Sequence, residues 1–156
     1  MSPAEAPARE HSPPDLDALP PEVEDLVVRA AEVAGVPMAT LNLFDDQHQH
    51  QRSTTGFAGG TSPRGEAMCS VTLELGALVH VPDARTDPRF AGSPWVDGRH
   101  GQVRFYASAP LLARCGRVLG TLCTFDVEPH HLSTAQASAL QRLADELAAL
   151  LEPVRG

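Results

Sequence analysis

Arg104-Phe105-Tyr106-Ala107-Ser108-Ala109-Pro110-Leu111 and, after a short polar stretch, Gly120-Thr121-Leu122-Cys123-Thr124-Phe125-Asp126 decide the fold of this chain. The two runs read as adjacent antiparallel strands. They are joined across Ala113-Arg114-Cys115-Gly116-Arg117, where Gly116 supplies the freedom a tight turn needs. A strand alternates its side chains between two faces. Phe105, Ala107, Ala109 and Leu111 therefore share one side, and Arg104, Tyr106 and Ser108 share the other. The first set is a core face. The second gathers the only tyrosine of the chain with an arginine and a hydroxyl, a mixture suited to small-molecule recognition or to a solvated sheet face.

Working outward, Met38 to Asp45 predicts another strand, with Ala39, Leu41 and Leu43 on one face and Met38, Thr40, Asn42 and Phe44 on the other. The run Gln47-His48-Gln49-His50-Gln51-Arg52-Ser53 has no apolar face and predicts an exposed arm near a sheet edge. Thr54 to Pro63 reads as a Gly-rich loop, Gly65 to Glu74 as holding a short helix around Cys69, and Leu78 to Val81 as a short strand. Pro82 to Gln102 carries three prolines and three glycines, so it predicts a long turn-rich segment of the kind that covers a site.

Helices are expected at both ends. The first starts at Pro20-Pro21 with acidic Glu22, Glu24 and Asp25 at its positive end, repeats Val23, Leu26, Val27, Ala30, Ala31 and Ala34 at helical spacing, and stops at Gly35. The last opens with Ser133-Thr134-Ala135-Gln136, a capping box, and carries Leu140, Leu143, Leu147, Leu150 and Leu151. Residues 1–19 are Pro-rich and aperiodic and are expected to be disordered, leaving 20–153 as a single domain.

The two strand runs, together with Val81-Pro82-Asp83-Ala84, Asp87-Pro88-Arg89-Phe90 and Leu132-Ser133 ahead of the long helix, resemble the bacterial GAF domain family. The resemblance covers roughly residues 21 to 151. It implies an α/β fold of the α+β type: a central antiparallel sheet of about five to six strands, terminal helices on one face, and a ligand cavity beneath a long cover loop on the other. It also implies a domain that binds a small molecule or a partner protein and regulates an attached output, few members being enzymes.

Composition narrows the chemistry. A chain of 156 residues, 42% hydrophobic, accommodates one ordinary core. A net charge of −8 argues against nucleic acid and against anionic membrane surfaces. All 12 basic residues are arginine, which excludes Schiff-base lysines, lysine nucleophiles and a phosphate-loop lysine. The start of the chain lacks a secretion signal and no segment is long enough to span a bilayer, so the expected compartment is the cytoplasm. Cys69, Cys115 and Cys123 are odd in number and dispersed, fitting reduced thiols rather than a disulfide framework or zinc site.

Each candidate chemical group also has a plainer structural role. Cys69 raises the free-methionine-(R)-sulfoxide reductases, a catalytic branch of the family needing a thiolate and a resolving thiol. That branch places its catalytic cysteine before the strand that begins near Arg104, and Gly101-Gln102-Val103 offers none, so Cys69 reads as a small buried residue rather than a reductase thiol. His48 and His50 share a strand face without a third ligand, and no metal or cofactor is expected. Asp83 and Asp87 sit before turns, where such residues accept local N–H groups. Arg104 has two readings: a clamp for a carboxylate or phosphate, or an ion pair with Asp83 or Asp87 that pins the cover loop. Cys69 is followed by Ser70 rather than histidine, against chromophore attachment, and the absence of lysine excludes the cyclic-nucleotide signature.

The reading that results is a non-catalytic small-molecule sensor of signal transduction. Its expected ligand-binding residues are Thr40, Asn42, Phe44, Cys69, Asp83, Asp87, Trp95, Arg104, Tyr106 and Ser108, roofed by Asp83 to Trp95. The alternatives are a thiol reductase and a protein-interaction module with a filled cavity. Expected partners are an unidentified small ligand, a second copy through the terminal helices with Leu147 and Leu150 nearest the axis, and a signalling protein.

Overall fold

A computed structural model of the chain describes residues 19–57, 59–63 and 68–151. The disorder expected for residues 1–19 falls, Leu19 apart, outside the described residues. Helix α1 (Glu22–Ala34) starts behind Pro21 with its acidic first turn and ends where Gly35, at φ 73°, donates its N–H to Ala31 and Glu32 carbonyls. Strands β1 (Met38–Phe44), β2 (His48–Thr55) and β3 (Thr61–Pro63) follow. A short helix α2 (Ser70–Leu75) and strand β4 (Val79–Val81) lead into the cover segment, which opens with a 3-10 turn at Ala84–Thr86. Strands β5 (Phe105–Leu112) and β6 (Val118–Asp126) and helix α3 (Thr134–Leu151) close the fold.

The six strands form one antiparallel sheet in the order β3-β2-β1-β6-β5-β4. Alternation divides its faces as the sequence requires. Ala39, Leu41, Leu43, Phe105, Ala107, Ala109, Leu111 and Leu122 pack under α1 and α3, together with the apolar stripes of both helices. Thr40, Asn42, Tyr106, Ser108 and Cys123 are buried on the opposite side. Pro110 is tolerated inside β5 because β4 begins opposite Ser108 and runs away from it, leaving an open edge at Pro110. Its free carbonyl accepts from Gln141 Nε2 of α3 at 3.1 Å.

The capping box forms as read. Gln136 N–H donates to Ser133 Oγ at 3.1 Å, and Ser133 N–H donates to Gln136 Oε1 at 2.8 Å. Gln136 Nε2 also donates to the Val33 carbonyl and His130 Nε2 to that of Ala34, so the start of α3 is tied to the end of α1. Among the described residues no helix is long and apolar enough to cross a membrane.

Two expectations are corrected here. Strand β2 lies near the sheet edge as expected, with β3 alone outside it, but it is not exposed throughout: His48 and Arg52 are exposed, while Gln49 is buried and Gln51 half-buried because they face a cavity. Leu147 is fully buried within the molecule's own core, since α3 lies on the sheet along its length, so it has no surface to offer a second copy. Among the described residues, Leu150 and Val28 are the exposed large apolar residues of the terminal helices. Replacing Leu147 with alanine is accordingly expected to lower unfolding free energy by about 2–5 kcal/mol in urea titrations, with no change in association state.

Candidate functional site

The polar face of the sheet is the floor of a cavity of about 200 Å³. Met38, Thr40 and Asn42 of β1, Tyr106 of β5, and Cys123 and Phe125 of β6 form the base. Gln49 and Gln51 of β2 and Phe57 form one wall, Met68 and Cys69 at the head of α2 form another, and Trp95 and residues 100–103 close the top. Aromatic edges tighten the rim: Phe57 meets Phe125 with centroids 5.1 Å apart, and Trp95 meets His100 at 5.2 Å.

The glutamines reach the cavity through a β-bulge. Pairing runs Thr40 to Thr54 and Leu41 to Ser53, then jumps to Asn42 opposite Gln51 and Phe44 opposite Gln49. Without that extra residue, Arg52 and His50 would face Asn42 and Phe44. The bulge thus exchanges two basic side chains for two neutral amides. His50 instead turns to Asp45, with Nε2 to Oδ2 at 2.7 Å, and this contact holds the Asp45 carboxyl down at about 2. Gln49 Nε2 donates weakly to Ser62 Oγ, while its Oε1 is buried with no hydrogen-bond partner.

The centre of the floor is a sulfur and amide cluster. Thr40 Oγ1 donates to Asn42 Oδ1 at 3.0 Å and so orients the amide. Asn42 Nδ2 then faces Cys69 Sγ, Cys123 Sγ and Thr121 Oγ1, each at 3.2 Å. Cys69 Sγ lies 2.7 Å from Tyr106 Oη and 2.6 Å from Cys123 Sγ. Burial pushes the Cys69 thiol up, but hydrogen bonds from Cys123, Thr121, Tyr106 and Ser108 outweigh it and bring the group to about 7. Burial and the neighbouring Cys69 push Cys123 well above the ordinary thiol range. Tyr106 is likewise pushed up, by burial and by both sulfurs.

Of the residues expected at the site, Thr40, Asn42, Cys69, Trp95 and Tyr106 line the cavity. Ser108 is buried just beneath, bonded to Cys123 at 3.3 Å, and Phe44 packs on the apolar cluster around the cavity. Asp83, Asp87 and Arg104 are not among its lining residues. Asp83 accepts from the Arg85 N–H and pairs with the Arg85 guanidinium, and Asp87 does the same with Arg89, a local unit repeated by Asp97 and Arg99. Arg104 lies one residue before β5, where its backbone bonds Asp126 and Ala84. Its guanidinium donates to the carbonyls of Val96 at 2.7 Å and Val103 at 3.2 Å, so the ion pair with Asp83 or Asp87 is not formed.

Gln49, Gln51, Phe57, Met68, Gln102 and Cys123 escaped the sequence reading. For Cys123 a signal existed: alternation through β6 sets it opposite Ser108. For Gln49 and Gln51 none did, because the bulge reverses the face that alternation alone assigns.

A two-layer α+β module with helices on one sheet face and a covered cavity on the other is the class this architecture defines. The chain belongs to the GAF domain family, whose model matches residues 21–151. It is 32% identical over 133 residues to a cyclic di-GMP phosphodiesterase of Pseudomonas aeruginosa, a match covering 85% of this chain and 22% of that protein. The chain therefore spans only about a fifth of that relative. In fold it is similar to the GAF domain of a phosphoenolpyruvate-protein phosphotransferase from Coxiella burnetii, with TM-score 0.68, 22% identity, and coverage of 86% of this chain and 84% of that one. It is similar to the same degree, TM-score 0.68, to a type II free methionine-R-sulfoxide reductase from Thermoplasma acidophilum, at 13% identity over 83% of this chain and 89% of that one.

Because Arg104 holds the cover segment by its carbonyls, Arg104→Ala is expected to cost about 1–3 kcal/mol. Amide hydrogen exchange should rise over residues 95–103 while β1 stays protected. Exchange that remains unchanged over the cover segment would show that the guanidinium does not hold it.

Proposed function

We propose that this GAF domain is a non-catalytic regulatory sensor that works in the cytoplasm and binds a neutral ring compound between its sheet and cover segment. The observation that carries this reading is the buried, unpartnered Gln49 Oε1 in the cavity wall. A buried acceptor without a donor is costly, and a ligand N–H or O–H removes that cost. The rest of the lining agrees. Among the described residues that line the cavity there is no Asp, Glu, Lys or Arg, while Gln51, Gln102 and Asn42 present amides between aromatic rings. A phosphate or carboxylate would find no Arg or Lys among them; a neutral heterocycle finds stacking and hydrogen bonds. The kinship with part of a phosphodiesterase of cyclic di-GMP signalling supports a regulatory setting.

Trp95 is the only tryptophan of the chain and lines the cavity, so its emission reports occupancy. Titration with neutral purine and pterin bases is expected to change Trp95 emission saturably, and Gln49→Leu to weaken the response roughly tenfold. Cyclic di-GMP, an anion, should give no saturable response. The reverse order of the two probes would overturn the reading.

The reductase reading has a separate test. The sensor reading expects no thiol-dependent reduction of free methionine-(R)-sulfoxide; turnover abolished by Cys69→Ser would replace the sensor with an enzyme. For output, we propose a homodimer through the terminal helices, now centred on Leu150 and Val28. Sedimentation equilibrium at micromolar concentration is expected to show a dimer that Leu150→Glu converts to a monomer of unchanged stability.

A further inference from the structure

We propose that Cys69 and Cys123 form a peroxide-sensitive dithiol in the cavity floor, oxidised reversibly to a disulfide. This goes beyond ligand binding, since it requires only the sulfurs, their neighbours and a hydroperoxide.

The two residues are 54 positions apart in sequence and sit on different elements, yet their sulfurs approach to 2.6 Å. A disulfide needs about 2.05 Å, so small side-chain adjustments join them. Their surroundings also give them different roles. Cys69 Sγ is placed to accept, from Asn42 Nδ2 at 3.2 Å, from Tyr106 Oη at 2.7 Å and from Ser108 Oγ at 3.8 Å. Cys123 Sγ shares the Asn42 amide at 3.2 Å but lies farther from Tyr106 Oη, at 3.5 Å, and is placed to donate to Ser108 Oγ at 3.3 Å and Thr121 Oγ1 at 3.4 Å. The sulfur with the short phenol contact is the better stabilised as thiolate, and the one that can donate to two hydroxyls keeps its proton. The cavity supplies the route in, because both sulfurs line it although both are shielded from bulk solvent.

In the first step the Cys69 thiolate attacks the terminal oxygen of the hydroperoxide. The S–O bond forms, the O–O bond breaks, and the departing alkoxide or hydroxide takes a proton from water. In the second step Cys123 sulfur attacks Cys69 sulfur, the S–S bond forms, and the S–O bond breaks as hydroxide leaves with the Cys123 proton as water. Two thiols lose two electrons in all, and one hydroperoxide becomes an alcohol or water plus a further water. A small dithiol reverses the change. Oxidation removes the thiolate that Asn42 and Tyr106 now hold and ties the residue preceding α2 to β6, so the cavity floor differs between the two states.

The test uses the full chain carrying Cys115→Ser, which removes the exposed third thiol in the β5 to β6 turn. With no ligand added, hydrogen peroxide is followed by N-ethylmaleimide, intact mass measurement and peptide mapping. The expected result is loss of two hydrogens, loss of both maleimide adducts, a linked Cys69 to Cys123 peptide, and full recovery with dithiothreitol. Two maleimide-reactive thiols after peroxide, or sulfinic acid on Cys69 beside a free Cys123, would overturn the proposal. In Cys123→Ser, Cys69 should stop as a sulfenic acid captured by dimedone; labelling absent there would overturn its role as the attacking sulfur. Tyr106→Phe should slow bridging roughly fivefold near neutral pH and recover about two pH units higher, where the thiolate forms without help. Equal slowing at both would remove the thiolate role of Cys69. Trp95 titrations in the reduced and bridged states keep the outcomes apart, because bridging is read by mass and ligand occupancy by emission.

Discussion

Everything in this molecule depends on the requirement that one face of the central strands lie under α1 and α3. Burying a Leu or Phe side chain contributes about 1.5–3 kcal/mol, whereas a satisfied hydrogen bond contributes about 1 net. Leu41, Leu43, Phe105, Leu111 and Leu122 therefore set the register, and the polar residues between them take whichever face remains. A slip of one residue would invert both sets at once. Thr40, Asn42, Tyr106, Ser108 and Cys123 are thus driven together by the packing of their neighbours, and a polar cluster assembled inside the protein must then satisfy itself. It does so through Asn42, whose oxygen is held by Thr40 and whose amino group faces two sulfurs and a hydroxyl.

The same constraint stops short of β2. That strand is second from the sheet edge and has no large apolar side chain to bury, so a bulge is tolerated there and selects which polar residues turn inward. The outcome is chemical: the amides of β2 lie in the cavity, and its imidazoles and guanidinium lie outside. On the other side the cover segment is held without any demand on the cavity. Three Asp-x-Arg units satisfy their own turns, and Arg104 binds two carbonyls of the segment. The positive and acidic side chains of this region are used in holding the roof, which leaves the described lining to stacking, amide and sulfur contacts.

That division explains how a ligand and an oxidant could address one domain by different means. A ring compound would engage Trp95, Gln49 and Gln51 near the mouth, while the sulfurs lie at the floor beside Tyr106. Both changes would pass through β1, β5 and β6, whose opposite faces carry the helices.

Much of this was legible in the chain. Strand periodicity in Arg104 to Leu111 and Met38 to Phe44 separated core from cavity, Gly35 and the Ser133 capping box marked helix ends, and five of the expected site residues line the cavity. These are local signals, written in spacings of two to four residues, and local physics reads them. What only tertiary structure decided are the long-range facts. The one-residue bulge that turned Gln49 and Gln51 inward depends on a partner strand. Arg104 went to the Val96 and Val103 carbonyls because the cover segment passes over it. Leu147 was taken into its own core because α3 lies flat on the sheet. Cys69 and Cys123 met because the start of α2 returns over β6, and no spacing along a chain encodes a contact between residues 54 apart whose meeting is set by the packing of everything between them.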